Sequence, residues 1–277
     1  MKNKWVRIFD EKQTQYITDI EGLRFLDYEE EGVDNRVNAT EIQSVDGVLL
    51  SPSTFGPFNL KLRFFYRGRD IADYKLIKQK LRGMLFKRTP YFINHSDMPG
   101  IKYAVYCEEN AITDIAHKYG EFEITFVVFK GYSESLMTTD NFSLNSDYWQ
   151  FGSGLVPDPN LKYVHTKRKF QIYNGSTDTV TPIHRHQLIT TMNINAPNGF
   201  TLHNKSTGDK FTYKKKISNN DTVVLNGVYP FKNKQHCGID TNHEYITLAE
   251  GYNDFEVLGD GVEVKEIKFT FNFVYGR

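Results

Sequence analysis

One segment of this chain reads as helix while nearly everything around it reads as strand or turn, and that contrast restricts the fold more than any other feature. Over residues 70–88, Ile71, Tyr74, Ile77 or Lys78, Leu81, Met84 and Leu85 recur at intervals of three or four, which lines one helix face with apolar groups. Asp70 is placed to accept from a free first-turn amide, and Asp73 adds negative charge near the positive end of the helix dipole. Lys87 and Arg88 stand at the other end, and Thr89-Pro90 stops the helix because the residue before a proline is pushed out of the helical region. A lone apolar stripe must be covered. The helix is therefore expected to buttress flanking strands at 59–67 and 121–130.

Around it, strands are expected at 6–9, 16–20 and 23–28, with Glu29-Glu30-Glu31 as a solvated edge or loop. Residues 36–45 and 48–50 flank Asp46-Gly47, the pair that suits a two-residue type I′ hairpin turn, where both central residues need positive φ. After the helix, strands are expected at 91–94, 103–107, 111–116 and 119–129. The last of these changes from alternating to wholly apolar, as a strand does when it passes from half-buried to fully buried. Residues 131–145 are rich in Ser, Thr and Asn with little periodicity, and they mark the expected boundary between two domains, 1–138 and 139–277. In the second half, strands are expected at 169–173, 187–194, 199–203, 210–214, 221–225, 244–248, 252–257 and 262–274, divided by turn signals such as Asn174-Gly175 and Asn198-Gly199. Short strands at such spacing with no helix between them point to an antiparallel β-sandwich. The expected fold class is mainly β.

Lys plus Arg and Asp plus Glu are both 34, so zero formal net charge gives no global attraction to nucleic acid or to an anionic membrane. Cys107 and Cys237 lie in different halves, which argues against a disulfide-stapled secreted fold. The amino terminus lacks the apolar core of a signal peptide, and no run approaches the roughly 18 apolar residues of a membrane span. A protein made and folded in a cytoplasm, without membrane insertion, is expected. Aromatic residues reach 14%, which favours strands and large interfaces.

Sites of chemistry are few. His184 and His186, two apart on a strand, would share a face, with Cys237 or His243 completing a tetrahedral metal site near His236. The spacing fits no compact zinc signature, so ordinary half-exposed strand and loop histidines are expected. Ser153, between Gly152 and Gly154, lacks the strand-turn-helix setting of a nucleophile elbow and reads as loop. The pairs Glu108 with Glu109 and Glu263 with Glu266 have the residue types of glycoside hydrolases, but a sandwich offers such pairs by chance. Lys167-Arg168-Lys169 and Lys214-Lys215-Lys216 read as solvated strand ends, and Trp149, Phe151, Tyr229 and Phe231 as packing groups more than sugar-stacking platforms. No phosphate-binding glycine loop is present. No catalytic, cofactor-binding or metal residue is assigned, and the chain is expected not to be an enzyme.

Several ordered segments carry a family resemblance. YITDIEGLRFLDY at 16–28, DGVLL at 46–50, the 70–88 helix, MPGIKYAVY at 98–106 and FEITFVVFKGY at 122–132 resemble, in that order, the amino-terminal region of the distal tail proteins of siphophages that infect Gram-positive bacteria. FQIYNG at 170–175, NKSTGD at 204–209 and ITLAEGYN at 246–253 are similar to that family's carboxy-terminal domain. The resemblance implies an amino-terminal split β-barrel flanked by a helix and related to tail-tube subunits, and a carboxy-terminal galectin-like sandwich. It also implies a hexameric ring in the virion, at the distal tail or baseplate, that joins the tail tube to a tail-associated lysin or tail-fibre hub, with no catalytic residues to carry over. Receptor-binding proteins and cell-wall carbohydrate are further candidate partners. A closed ring requires two different patches on each copy, and the 36–50 hairpin is the expected arm. The alternative is a carbohydrate-binding module or hydrolase acting on host cell-wall polymer. Galectin-type binding needs His, Asn, Arg and Trp on one concave face, a pattern the sequence does not display.

Overall fold

The computed structural model describes residues 4–32, 34–112, 119–143, 146, 148–150, 152, 153, 155, 156 and 158–276. The chain divides into two compact units, one ending at Ser133 and the other running Glu134–Gly276.

The first unit contains β1 (Val6–Phe9), β2 (Thr14–Tyr16), β3 (Leu23–Glu30), β4 (Asn35–Arg36), β5 (Ala39–Glu41), β6 (Val48–Leu50), β7 (Thr54–Phe55), β8 (Phe58–Arg67), α1 (Ile71–Leu85), β9 (Tyr91–His95), β10 (Ile101–Ile112) and β11 (Tyr119–Val128). Seven of these strands form one antiparallel sheet in the order β2-β1-β9-β10-β11-β8-β3. Its core is organised by β8, where Phe58, Leu60, Leu62, Phe64 and Tyr66 alternate inward at the period of two that a strand imposes. Leu60, Leu62 and Phe64 stand opposite Phe126, Ile124 and Phe122 of β11, so each inward position is a cross-strand apolar pair.

On its other side β8 pairs with β3, but the register shifts between Phe25 and Asp27. The bulge at Leu26 places Asp27 opposite Arg63, whose Nε donates to Asp27 Oδ1 at 2.6 Å. That paired guanidinium holds the Asp27 carboxyl below its ordinary range. The sheet also curls. Although β3 is an edge strand, its Phe25 and Tyr28 rings lie 5.7 and 4.3 Å from the His95 ring of β9, and the Tyr103 hydroxyl of β10 bonds Glu30 of β3. An open barrel with β2 and β3 as its edges results.

The helix forms where its apolar period places it. Asp70 Oδ1 accepts from the Asp73 amide at 2.9 Å, as the capping position requires. It ends at Leu85, earlier than Thr89-Pro90 would set, because Phe86 leaves the helical region with ψ 79°. Leu81 and Leu85 are buried, while Tyr74, Ile77 and Met84 are half-buried. The stripe meets β8 through the Tyr66 and Tyr74 rings, 6.1 Å apart, and the Tyr91 hydroxyl of β9 donates to Leu85 O at 2.8 Å. Leu81→Ala is expected to cost about 2–3 kcal/mol, the lower part of the range for buried leucine, because its half-exposed neighbours can relax into the gap. Chemical denaturation of the variant measures it.

Other sequence expectations can be compared with this unit. Residues 16–20 are not a strand: β2 ends at Tyr16, and a 3₁₀ turn, Ile17–Asp19, buries Ile17. The Glu29-Glu30-Glu31 run lies at a sheet edge as expected: Glu29 and Glu30 end the edge strand β3, and Glu31 is tied by its amide to Asn59 O and by an ion pair to Lys61 at 3.0 Å. The strands expected at 103–107 and 111–116 are one irregular strand, β10, paired to β11 with a register shift between Cys107 and Ile112. Residues 113–116 lie outside the described residues.

The second unit continues with β12 (Ser133–Ser135), β13 (Val164–His165), β14 (Lys169–Asn174), β15 (Leu188–Asn195), β16 (Phe200–Asn204), β17 (Lys210–Tyr213), β18 (Val223–Asn226), β19 (Tyr229–Lys232), β20 (Gln235–His236), β21 (Gly251–Leu258), β22 (Glu263–Phe271) and β23 (Val274–Tyr275). One sheet has the order β13-β22-β15-β18-β19-β20 and the other β14-β21-β16-β17. Phe269 of the first sheet lies 4.9 Å from Phe255 and 6.0 Å from Phe170 of the second, so the two inner faces pack as a sandwich.

The strand expected at 244–248 is absent. Only Leu248 makes a bridge, to Val180, because buried polar side chains take the backbone groups a partner strand would use. Asn204 Nδ2 donates to Thr247 O, Asn174 Nδ2 to Leu248 O, and Asn253 bonds both the amide and the carbonyl of Ala249. The short strands β13, β19 and β20 were not expected from the sequence.

Candidate functional site: an exposed apolar arm

Between β3 and β8 the chain leaves the barrel as a two-stranded ribbon. β4 pairs with β7 and β5 with β6, and the ladder continues through Ser51 N to Asn38 O at 2.9 Å and Gly56 N to Asp34 O at 2.8 Å. Every residue from 34 to 55 is exposed. Yet the ribbon carries Val37, Ile42, Val45, Val48, Leu49, Leu50 and Phe55, with Leu49 and Leu50 each 62% exposed. A two-stranded ribbon is marginal alone in water, and an apolar patch of this kind marks an interaction surface.

Its tip differs from the expected turn. Glu41 faces Val48, so residues 42–47 form the loop, closed by Val45 N to Ile42 O at 3.2 Å. Positive φ falls at Ser44 (67°) and Gly47 (86°) and not at Asp46, which rules out the two-residue type I′ geometry. At the base, an Asp34–Arg36 ion pair of 2.9 Å joins two exposed side chains two residues apart at the start of β4.

The residues with chemical potential are scattered. His184 and His186 are not on a strand: His184 ends a 3₁₀ turn and His186 follows Arg185, which has φ 63°. Their rings are 5.7 Å apart, and His186 is buried and not half-exposed. Burial lowers the His186 pKa, against the opposing charge of Asp178. Among the described residues the third group beside them is Asp178, and neither Cys237 nor His243 joins it. Asp178 stands six positions before His184, a separation that carries no strand-face signal, and only the intervening 3₁₀ turn brings it to the histidines. Cys237 is buried, which raises its thiol pKa, and His236 packs on Phe231.

Trp149 is core, its ring 5.0 Å from Phe142 and 5.2 Å from Phe273, whereas Tyr229 is exposed. Gly154 and Phe151 lie outside the described residues, as does the side chain of Glu109. Glu108 accepts from the Tyr106 hydroxyl, and Glu263 and Glu266 are exposed on β22. In the 167–169 run, Arg168 donates to Val257 O and Gly259 O, and Lys169 pairs with Glu256; Lys214, Lys215 and Lys216 are exposed. No hydrolytic or phosphate-binding constellation assembles among the described residues.

Residues 10–128 match the phage tail protein RIFT-related domain. Over the full chain the structure is similar to the Dit protein (gp 19.1) of phage SPP1, described as a paradigm of the hub adsorption apparatus in phages infecting Gram-positive bacteria, with a TM-score of 0.68 at 13% identity, covering 98% of this chain and 100% of that one. Weaker likeness, TM-score 0.42 at 10% identity, extends to the phage p2 baseplate in its activated conformation with Ca, covering 98% of each chain. No curated protein matches the chain. Residues 10–128, within the first unit, thus match a phage tail protein RIFT-related domain, and the chain as a whole has a fold similar to that of the SPP1 Dit protein.

Proposed function

We propose that this protein is a structural component of the tail tip, in which six copies close a ring at the distal end of the tail tube and carry the lysin or fibre hub below. The barrel of the first unit, with its RIFT-related tail domain, forms the ring. The observation that supports this best is the arm: a fully exposed ribbon rich in large aliphatic side chains, carried by a barrel whose own core is complete without it. Laid on the barrel of the next copy, it provides the head-to-tail contact that cyclic symmetry needs. Its occupant is a second copy of this chain.

Replacing Val48, Leu49 and Leu50 together by Ser removes the most exposed apolar stretch of the ribbon without touching the barrel. The variant is expected to run as a monomer where the wild-type protein runs as a ring, with the melting of the isolated subunit unchanged. A variant that still assembles would move the contact elsewhere.

A second reading, cell-wall carbohydrate binding, draws on one groove of the second unit bordered by Asp158, Lys169, Gln171, Tyr173 and Tyr252. There Tyr252 is exposed and its hydroxyl donates to Asp158 Oδ2 at 2.9 Å, an aromatic face beside hydrogen-bonding groups of the kind sugars use. Titration with host wall glycopolymers tests it, and absence of saturable binding removes it.

A further inference from the structure

The loop joining β14 to β15 gathers one potential ligand atom each from Asp178, His184 and His186, all within 4.8 Å of one another. We propose that these three side chains form a binding site for a divalent transition-metal ion. Two imidazoles and one carboxylate, with a fourth position for water, fit zinc(II) in particular. Nothing in the tail-ring reading requires such a site.

The loop is built to hold the three groups together. Thr181 Oγ1 accepts from the Ile183 amide at 3.4 Å, Pro182 begins the 3₁₀ turn, and the Arg185 amide donates to Pro182 O at 3.0 Å. The left-handed conformation of Arg185 then turns the chain so that His186 swings back beside His184, the two rings crossing at 77°. The His186 amide donates to Thr181 O at 3.3 Å, which fastens the end of the loop to its middle.

Two further contacts orient the ligand groups. His186 Nδ1 lies between two backbone groups, the Thr181 amide that donates to it at 3.2 Å and Thr179 O at 3.1 Å, so it engages one or the other according to tautomer, and an ion on Nε2 selects the tautomer that donates to Thr179 O at the expense of the Thr181 contact. In the tautomer whose Nδ1–H donates to Thr179 O, Nε2 carries the lone pair, and a backbone partner on the opposite nitrogen is what fixes the ring of a metal-bound histidine. Asp178 Oδ1 accepts from the Thr179 amide at 2.7 Å, so the carboxylate is held while Oδ2 remains to ligate. Asp178 and the buried Glu134 both place negative charge near His186, which favours a cation there. A bound ion would cross-link residues 178 and 186, the two ends of the lead-in to β15.

The test uses tag-free, full-length protein stripped with a chelator, titrated with Zn²⁺ by calorimetry and with Co²⁺ by visible absorption near pH 7.5. One equivalent is expected to bind, with the d–d bands of a low-coordinate Co²⁺ ion. H184Q removes an exposed ligand, and D178N changes one atom, so both keep the fold; each is expected to weaken binding by more than the roughly 100-fold that marks the upper end for loss of an outer partner alone. H243Q, a histidine change outside the cluster, is expected to bind as wild type. Absence of saturable binding, or wild-type affinity in both H184Q and D178N, overturns the proposal.

Discussion

Phe64→Ala is expected to destabilise the first unit by about 3–5 kcal/mol, the range for deleting a fully buried aromatic ring. Phe64 has no exposed surface and sits on β8 between the two strands that pair with it. Its ring is 5.7 Å from Phe25 on β3 and 5.7 Å from Phe122 on β11, the latter pair nearly parallel at 24°. Removing it leaves a void lined by backbone-locked neighbours, and closing that void would require β3 or β11 to leave its hydrogen-bonded register. Denaturant unfolding followed by a probe in the first unit measures the change. A loss below about 1 kcal/mol would mean that this face is not the core.

The second large effect comes with acid. Lowering the pH from 7 to about 4 is expected to remove roughly 3 kcal/mol from the first unit through His95 alone. His95 is buried among the rings of Phe25, Tyr28 and Tyr103, and neither ring nitrogen has a hydrogen-bond partner among the described residues. Burial lowers its pKa to about 4, with Asp97 opposing and Lys4 adding to the shift. The unfolded chain binds a proton near 6.5, so protonation favours unfolding. Stability is intact above pH 6.5, falls as the pH drops below it, and levels off near 4.

Other groups shift within this range or below it. Burial also lowers His165 and His186 in the second unit, and the depressed carboxyls of Asp27 and Glu31 lose their contribution only as the pH passes below their ordinary values. His95→Phe keeps the shape and removes the proton site. The pH dependence between 6.5 and 4 is therefore expected to flatten in that variant relative to wild type, and equal slopes in the two proteins would show that His95 does not carry it.

Periodicity made the interior of the fold legible. The alternation of β8, the apolar end of β11 and the 3.6-residue stripe of α1 each follow from one face being buried, and they are where sequence and structure agree most closely. Disagreement begins where side chains satisfy backbone. The apolar positions at 246 and 248 resemble a strand, but Asn174, Asn204 and Asn253 supply the hydrogen bonds that a strand partner would have made. Local turn preference misled in the same way. Asp46-Gly47 favours a tight hairpin, yet the pairing of Glu41 with Val48 fixes a longer loop in which positive φ falls at Ser44 and Gly47 and not at Asp46.

The arm was legible as a hairpin but not as an exposed one. Val48, Leu49 and Leu50 look like core residues in any hydropathy reading, and only the path of the chain shows that nothing within this unit covers them. The 178–186 cluster was half legible for a related reason: His184-x-His186 is visible in the sequence, whereas the arrival of Asp178 depends on a 3₁₀ turn and a left-handed Arg185.

The ring is tested most directly by the mass of the purified full-length protein at micromolar concentration, together with electron microscopy of the same sample. Closed rings of six subunits are the predicted result. A protein that stays monomeric in solution, with no ring at its position in tail particles, would contradict it.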